Sequence, residues 1–274
     1  MEQNKENGQT LSEHACWLLF HKDEVLLKET STGPVLPSMQ DLDVFPYLTA
    51  EHAQYVGSLD STSCFAANIT KEDVPPGFAL QKLRGIADLV EEDAFRLAFR
   101  AYHIRTWLKN NRYCGSCGQA TQPVTEELAV RCPQCGYIAY PRISPAIIVA
   151  VTKGDEILLA HSNRLPPGRY SVIAGFVEPG ETLEDCVRRE LAEEVGIEVT
   201  DIRYFGNQPW PFPDSLMVAF TATAVSSEIT IDNQEILDAG WYGPHNLPAN
   251  LPGQESIARK LIDAYLAKFK KNED

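Results

Sequence analysis

Residues 175–197 read GFVEPGETLEDCVRRELAEEVGI, and this segment carries the most specific pattern in the chain. It fits the pattern G-x5-E-x7-R-E-U-x-E-E-x-G-U at every fixed position, where U is an apolar residue. Glu190, Glu193 and Glu194 stand at helical spacings i, i+3 and i+4, so their carboxylates converge on one helix face. Three clustered acids repel each other, and Mg²⁺ or Mn²⁺ is the natural neutraliser because hard cations prefer oxygen ligands. The three glutamates are therefore candidate ligands of a catalytic divalent cation.

The residues around these glutamates have separate structural tasks. Gly175 permits a backbone geometry that a Cβ would resist, and Gly196 suits the left-handed residue that ends the helix. Either Thr182 or Glu181 opens the helix near its positive end. Arg189 can pair with Glu181 and hold the preceding loop to the helix. The apolar face that anchors the helix comprises Leu183, Val187 and Leu191. An ordinary solvated acidic helix is the weaker interpretation, because the flanking glycines and the first glutamate also match the pattern.

Two CxxC pairs precede this stretch: Cys114 with Cys117 and, after a fourteen-residue gap, Cys132 with Cys135. The spacing is close to that of four-cysteine zinc sites. Four thiolates close the tetrahedron and leave no position for water or substrate, so the zinc is predicted to be structural. A redox pair and a rubredoxin-like iron site share the spacing, but nothing nearby suggests electron transfer. Nucleic-acid binding by this segment is a weak alternative, given the few arginines around it and the glutamates between them: Arg112, Arg131, Arg142, Glu126 and Glu127.

The composition bounds the class of protein. The chain has 274 residues, of which 44% are hydrophobic, and this favours more than one domain. A formal net charge of -14 argues against broad binding to nucleic-acid backbones. Clustered pairs among the seven cysteines are typical of metal binding in a reducing cytosol. The first ten residues lack the basic start and apolar run of a signal peptide, and no apolar run reaches membrane-spanning length. A cytoplasmic protein without membrane contact is therefore expected.

Apolar patterning predicts the main elements. Short runs predict strands at 16–20 (CWLLF), at 25–28 (VLLK) and within 55–69. Three- and four-residue steps between 85 and 109 predict an amphipathic helix. The runs AIIVAVT and ILLA predict a buried hairpin that begins at residue 146.

An internal echo joins KDEVLL at 22–27 to KGDEILL at 153–159. Two interpretations remain open: the N-terminal region is a decayed copy of the C-terminal fold, or it holds an ordinary hairpin with an acidic turn. No carboxylate-rich helix precedes residue 110, so this region is predicted to be non-catalytic.

The segment 208–215 reads QPWPFPDS. Its three prolines predict an extended backbone outside any strand ladder that presents Trp210 and Phe212 rigidly. Such a segment suits the wall of a binding site. For an arbitrary protein, a proline-rich connection that merely covers the core is the alternative.

Three features together resemble the NADH pyrophosphatase branch of the Nudix hydrolase superfamily. They are the glutamate-rich segment at 175–197, called the box below, the cysteine segment before it and the QPWPFP element after it. The resemblance covers residues 111 to 270 well and the N-terminal region only by length and position. It implies an α+β protein with a catalytic Nudix fold, a mixed β-sheet between helices, at 141–274. A four-cysteine zinc ribbon at 111–140 and an N-terminal α/β domain at 1–110 precede it, and the latter is either a degenerate Nudix-like copy or unrelated. Family members are typically homodimers.

The resemblance also implies residue roles. Glu235 reaches the Mg²⁺ or Mn²⁺ site from outside the box, and Arg189 belongs to the catalytic group as the residue that orients the loop. Tyr140 and Phe176 match the aromatic residues that sandwich the adenine ring. Asn207 stands where the family commonly has Ser, a departure that affects one polar contact. The other predicted substrate contacts are Gln208, Pro209, Trp210, Pro211, Phe212, Pro213 and Ser215.

The implied activity is metal-dependent hydrolysis of the pyrophosphate bond of NADH or NAD to NMN(H) and AMP. The family also removes NAD caps from RNA 5′ ends. Either Glu194 or Glu235 accepts the proton of the attacking water, and the sequence does not choose between them. Another Nudix substrate, such as ADP-ribose, a diadenosine polyphosphate or a free nucleotide, is one alternative. A module that binds a dinucleotide or an RNA end without cutting is another, disfavoured because it would be expected to lose one of the mutually repelling glutamates.

Overall fold

The structure, a computed structural model, describes residues 5–6, 9–10, 15–45, 48, 53–231 and 233–270. The expectation that a signal peptide is absent concerns residues 1–10, most of which lie outside the described residues. The chain forms two compact units, one of residues 1–142 with 211–213 and one of residues 143–210 with 214–274. Among the described residues, no helix is both long and apolar enough to cross a membrane.

The first unit is built on a mixed β-sheet. Its strands are β1 Lys5–Glu6, β2 Gln9–Thr10, β3 Cys16–His21, β4 Glu24–Lys28, β5 Gln54–Leu59, β6 Thr62–Asn68 and β7 Phe78–Lys82. β1 and β2 pair with each other, and the remaining five form a sheet in the order β5-β6-β3-β4-β7. β3 and β6 run parallel, whereas the other neighbours run antiparallel. The strands predicted from the apolar runs before residue 70 are therefore confirmed.

Helix α1, Glu92–Asn110, follows β7 and packs on this sheet. Tyr102 of α1 contacts Phe20 of β3, with ring centroids 6.0 Å apart. The predicted start of the helix at residue 85 is wrong, because Leu83–Gly85 form a 3-10 helix and α1 begins only at Glu92. Glu92 and Asp93 favour that start, since acidic side chains stabilise the positive end of the helix dipole.

The cysteine segment forms a small antiparallel sheet. Its strands are β8 Gln122–Pro123, β9 Val130–Arg131 and β10 Ile138–Ala139. They lie in the order β8-β9-β10. This short, turn-rich structure buries few apolar side chains of its own, so the thiols of its two CxxC pairs are the natural centre.

The second unit is a mixed sheet between two helices, as predicted. Its elements are β11 Ser144–Lys153, β12 Glu156–Ser162, β13 Ile173–Phe176, α2 Leu183–Val195, β14 Val199–Trp210, β15 Ser215–Ala224, β16 Ile236–Tyr242 and α3 Ile257–Lys270. The strand order is β14-β15-β11-β12-β16, with β13 paired to β11. Apolar residues of α2 join the core on one face of the sheet and those of α3 join the core on the other. The predicted hairpin at residue 146 is β11 with β12.

The two sheets have the same strand order and the same strand directions. Each contains one parallel pair at the same place, β3 with β6 in the first unit and β11 with β15 in the second. A helix follows the last strand of each of these two sheets, α1 after β7 and α3 after β16. Between β4 and β5, however, the described residues form a 3-10 helix, Met39–Val44, where the second unit has α2. The interpretation as a decayed copy is therefore favoured over an ordinary hairpin, and the described residues of this copy contain no carboxylate helix.

The proline-rich segment differs from its prediction. Residues 208–210 are not outside a ladder: they end β14 and pair with residues 215–217 of β15. Pro209 is tolerated there because β14 is an edge strand, where a missing N–H costs no ladder bond. Residues 211–214 form the turn that joins the two strands. The segment is thus the tip of a β-hairpin.

Candidate active site

The carboxylate helix is α2, and both of its ends are capped. Of the two candidate starts, Thr182 is the N-cap, because its hydroxyl accepts the N–H of Asp185 at 3.2 Å. Gly196 at the C-terminus has φ of 68°, the left-handed conformation that favours glycine. The predicted apolar face is packed in the core, with Val187 and Leu191 fully buried and Leu183 partly. These contacts fix the direction in which the polar face points.

Glu190, Glu193 and Glu194 lie in three different environments on α2. The side chain of Glu190 is 12% exposed and that of Glu193 is 63% exposed, whereas Glu194 is buried. Among the described residues, the set of ligand groups that lies within 4.8 Å of one another consists of the four cysteines and does not include these carboxylates. The glutamates share a helix face, as predicted, but are not gathered around one point.

Arg189 ties the loop before α2 to the helix. Its Nε donates to Oε1 of Glu181 at 2.7 Å, and its Nη2 donates to the carbonyl of Phe176 at 2.9 Å. The predicted pairing of Arg189 with Glu181 is therefore confirmed. Its Nη1 also donates to Glu190 at 3.0 Å and to Glu193 at 3.1 Å, contacts that the sequence did not predict. The chain itself thus offsets part of the repulsion among the carboxylates.

These contacts shift the pKa values of two carboxyls in opposite directions. Hydrogen bonding from Arg189 holds the pKa of Glu181 at about 2. Burial raises the pKa of Glu190; Arg189 opposes this shift, and the charges of Glu193 and Glu235 add to it. Glu181 is therefore a permanent anionic partner of the arginine, whereas the surroundings of Glu190 favour an additional positive charge.

Removing the guanidinium of Arg189 is expected to destabilise the second unit. Arg189→Ala leaves the carboxylate of Glu181, which is only 13% exposed, without its counter-ion. The free energy of unfolding, measured with urea, should fall by about 2–4 kcal/mol. Arg188→Ala is the control, because Arg188 is 56% exposed and pairs with an exposed Asp185, so a loss below about 0.5 kcal/mol is expected. Equal losses in the two variants would contradict the role of Arg189 in tying the loop before α2 to the helix.

Gly175 approaches the carboxylate of Glu190 closely. Gly175 lies in β13, opposite Ile147 of β11. A Cβ built at Gly175 would lie 1.9 Å from Cδ of Glu190 and 2.0 Å from its Oε1. The glycine predicted from the box is therefore required by this close approach rather than by a left-handed backbone. Any side chain at position 175 has to displace the Glu190 carboxylate.

Glu235 lies outside the box, directly before β16. Its Oε2 pairs with Nη2 of Arg164 at 2.7 Å. Its backbone carbonyl accepts the N–H of Asn163 at 2.9 Å. Because the charge of Glu235 raises the pKa of Glu190, the two carboxyls lie within electrostatic reach of each other. Sequence reasoning missed Arg164, whose one signal was its place in a loop that follows a strand.

Gln208 uses both ends of its side-chain amide within the protein. Its Nε2 donates to the carbonyl of Glu255 at 2.8 Å, and its Oε1 accepts the N–H of Ile257 at 2.8 Å. These bonds connect β14 to the first residue of α3. Ser215, across the hairpin from Trp210, is buried. Gln208 therefore has a scaffold role that the sequence did not indicate.

The two predicted stacking residues each present an exposed ring. In the second unit, Phe176 ends β13 with 48% of its surface exposed. In the first unit, Tyr140 is 55% exposed and its hydroxyl donates to Oε1 of Glu127 at 3.2 Å. Exposed aromatic faces of this kind are suited to stacking on a nucleobase. The link between Tyr140 and Glu127 was not predicted.

The tip of the hairpin, residues 211–213, clusters with the first unit. The ring of Phe212 meets Phe99 edge-on at 5.6 Å and lies 5.3 Å from the ring of Tyr102. The guanidinium carbon of Arg84 lies over the same ring at 4.1 Å. Phe212 is thus held in an aromatic cluster on α1, a packing that its sequence context did not predict.

The two CxxC pairs form matching turns. The N–H of Gly118 donates to the carbonyl of Cys114 at 2.9 Å, and the N–H of Gly136 donates to the carbonyl of Cys132 at 3.0 Å. Both glycines have φ of 76°. This repeated backbone geometry turns both thiols of each pair to the same side.

The four thiols meet at one point. The Sγ atoms of Cys114 and Cys135 are 3.6 Å apart, those of Cys117 and Cys132 are 3.5 Å apart, and all four lie within 4.8 Å of one another. Thiolates around tetrahedral zinc are separated by roughly 3.8 Å, given zinc–sulfur bonds of about 2.3 Å. The N–H of Cys135 donates to Cys132 and lowers its pKa to about 7, which favours the thiolate. The residues fit the predicted structural zinc.

Loss of one thiol is expected to release the zinc. Cys132 is fully buried, and metal binding at such a site contributes directly to folding. Cys132→Ser should lower the zinc content, measured by plasma mass spectrometry, from about one per chain to near zero and lower Tm by at least about 5 °C. Ser116→Ala, at an exposed position between two ligands, should keep the zinc. Full zinc content in Cys132→Ser would contradict the site.

Three family models match consecutive parts of the chain. They are the NADH pyrophosphatase-like rudimentary NUDIX domain at 14–107, the NADH pyrophosphatase zinc ribbon domain at 109–140 and the NUDIX domain at 141–265. The rudimentary domain coincides with the five-stranded sheet of the first unit, whose described residues repeat the topology of the second sheet and contain no counterpart of α2. The ribbon coincides with the four thiols.

Curated relatives match almost the whole chain. The NAD-capped RNA hydrolase NudC of Pseudomonas aeruginosa is 44% identical over 256 residues, which cover 92% of this chain and 89% of the relative. NudC of Stutzerimonas stutzeri is 47% identical over 218 residues, which cover 78% of each chain. A crystal structure of a NUDIX hydrolase from Nitrosomonas europaea shares the fold, with a TM-score of 0.51 and 21% identity over 57% of this chain and 91% of that chain.

The chain therefore belongs to the Nudix hydrolases. Its rudimentary domain and zinc ribbon match the models of the NADH pyrophosphatase branch of that family.

Proposed function

We propose that this chain hydrolyses the pyrophosphate bond of NADH or NAD to NMN(H) and AMP, and that it also removes NAD caps from RNA 5′ ends. The observation that carries the proposal is the intact face of Glu190, Glu193 and Glu194 on a capped α2, in a chain related along its length to NAD-capped RNA hydrolases. The net charge of -14 favours recognition of the cap itself over contacts along the RNA backbone.

The carboxylates fit a hard divalent cation, Mg²⁺ or Mn²⁺. Glu190, Glu193 and Glu194 would hold it together with Glu235, since their oxygens are the donors that such ions prefer. Burial and two neighbouring charges raise the pKa of Glu190 despite Arg189, so the chain's own cations leave part of the negative charge uncompensated. The bound cation would polarise the attacking water and stabilise charge on the pyrophosphate.

The side chains divide the remaining work. Glu194, which is buried, and Glu235, whose side chain is 47% exposed, are the two candidate bases for the water proton. Arg189 is a positioning residue, because it donates hydrogen bonds both to Glu190 and to the loop that precedes α2. Gly175 gives Glu190 the space that its carboxylate occupies.

Substrate contacts belong to the exposed rings and the hairpin. Tyr140 and Phe176 would stack on the adenine ring. Residues 208–213 and Ser215 are the other proposed substrate contacts. Gln208 also holds the hairpin to α3, and Phe212 is also held in its aromatic cluster.

The finer points of organisation are part of this proposal. Domain limits at residues 110 and 140 are supported by the limits of the matching family models. A homodimer is supported by the resemblance to a family whose members are typically homodimers, and light scattering of the purified chain tests it. A cytoplasmic location is supported by seven cysteines of which four form one metal site.

Comparison of substrates tests the proposal. NADH, NAD, ADP-ribose and a diadenosine polyphosphate are assayed at equal concentration with Mg²⁺ or Mn²⁺, and NAD-capped RNA is compared with the same RNA carrying a 5′-triphosphate. The expected result is the highest kcat/KM for NADH or NAD and cleavage of the capped RNA alone. Faster cleavage of ADP-ribose or the polyphosphate would replace the proposed substrate. Binding of NADH without cleavage would favour the non-catalytic module.

A further inference from the structure

Arg164 stands at the edge of the carboxylate site in a loop with a defined backbone. The N–H of Arg164 donates to Oγ of Ser162 at 3.2 Å, and Ser162 ends β12. The neighbouring Asn163 donates its backbone N–H to the carbonyl of Glu235 at 2.9 Å and its Nδ2 to the carbonyl of Gln234 at 2.6 Å. Asn163 therefore holds residues 163–164 to residues 234–235 through its backbone N–H and its side-chain amide, independently of the charged side chains.

The side-chain pair between Arg164 and Glu235 is largely exposed. The two groups meet at 2.7 Å, but their side chains are 68% and 47% exposed. Exposed pairs of this kind contribute little to stability. Arg189 differs, because its side chain is 23% exposed and it contacts two further carboxylates and a carbonyl besides Glu181. Arg164 thus neutralises Glu235 without being fixed to it.

We propose that Arg164 is a phosphate-binding residue of this site, held in place by Glu235 until Glu235 turns to the divalent cation and frees the guanidinium for the pyrophosphate of the dinucleotide. The inference rests on the proposed function, because it takes Glu235 as a cation ligand. Glu235 cannot give its carboxylate fully to both partners, so cation binding and the Arg164 pair compete. The released guanidinium is permanently charged, and its planar fork matches the oxygens of a phosphate.

The exchange has two consequences that a merely structural ion pair does not have. Without Arg164, the cation loses one positively charged competitor for the carboxylate of Glu235, so Mn²⁺ should bind more tightly to the substrate-free protein. The dinucleotide, in contrast, should bind more weakly because it loses a guanidinium contact. A residue that only positions Glu235 would weaken both cation binding and turnover when it is removed.

The test uses the full-length zinc-loaded protein and three variants. Arg164→Gln removes the charge, Arg164→Lys keeps the charge without the fork, and Arg188→Gln is the matched control, since Arg188 pairs with Asp185 on the exposed side of α2 at 3.2 Å. Mn²⁺ binding is measured by electron paramagnetic resonance without substrate. KM and kcat for NADH are measured at saturating Mn²⁺. Circular dichroism and zinc content establish that each variant is folded.

For Arg164→Gln, Mn²⁺ should bind about two- to fivefold more tightly. KM for NADH should rise roughly tenfold, with kcat changed by less than about threefold. Arg164→Lys should fall between wild type and Arg164→Gln in KM, and Arg188→Gln should match wild type. The inference is overturned if Arg164→Gln behaves like Arg188→Gln, or if it weakens Mn²⁺ binding. Failure of the wild-type protein to bind Mn²⁺ or cleave NADH would instead overturn the proposed function.

Discussion

Replacement of Glu194 by Gln is expected to abolish turnover while the protein stays folded. Gln has nearly the same size, so the buried position on α2 remains filled, but its neutral amide neither accepts the proton of water nor supplies an anionic oxygen to a cation. We expect kcat for NADH, measured by release of AMP, to fall by roughly three orders of magnitude. Zinc content and the circular dichroism spectrum should be unchanged.

Glu184→Gln is the matched control for this result. Glu184 lies in the first turn of the same helix, is exposed and stands outside the carboxylate set. Its replacement removes one negative charge from α2 and should leave kcat within about twofold of wild type, because an exposed charge in this place contributes little. Turnover above a few percent in Glu194→Gln would remove its assigned role.

Gly175→Ala is expected to have the second largest effect. The new Cβ would lie 1.9 Å from Cδ of Glu190, so the carboxylate has to leave its position although no charge changes. Since a displacement of about 1 Å at a reacting group costs on the order of 100-fold in rate, kcat should fall by roughly that factor. Mn²⁺ titration of the rate should show weaker metal binding in the same variant.

Gly206→Ala provides the comparison in the same unit. A Cβ at Gly206 of β14 has its nearest neighbour, Cδ1 of Ile257, at 3.9 Å, an ordinary contact distance. The activity of the Gly206→Ala variant should therefore remain close to that of the wild type. Loss of activity in both variants to the same extent would show that glycine replacement disturbs the fold in general, and would contradict a specific conflict with Glu190.

The parts of the site that the sequence predicts are those set by local spacing. The positions of Glu190 and Glu194 on one face, the N-cap at Thr182 and the αL residue Gly196 all follow from helical periodicity and capping within one segment. The four thiols belong to the same class, because two identical turns and one gap length already define a tetrahedral site.

The parts that the sequence does not predict depend on pairing between distant segments. Arg164 meets Glu235 because β12 and β16 are neighbours in the sheet, and Gln208 meets the start of α3 for a similar reason. Local periodicity carries no information about such partners. The hairpin at Pro209 was missed because proline is acceptable in an edge strand, and edge position is a property of the sheet and not of the segment.

The duplication of the catalytic sheet in the N-terminal region is predicted from the sequence only in part. The echo of KDEVLL in KGDEILL has too few residues to separate a common fold from an ordinary hairpin. Strand order and direction separate them, because five strands with one parallel pair at the same place are a far more specific pattern than one acidic turn. The copy has kept the sheet and the final helix, and its described residues contain no counterpart of α2.

The most direct test of the central claim is the identity of the products from NADH. The purified protein is incubated with NADH and Mn²⁺ in water enriched in oxygen-18, and the products are identified by mass spectrometry. Hydrolysis of the pyrophosphate bond predicts AMP and NMNH in equal amounts. Each cleavage incorporates one labelled oxygen, which lies in the phosphate of either AMP or NMNH, whichever phosphorus the water attacks. Intact NADH, or nicotinamide together with an ADP-ribose product, would contradict the account.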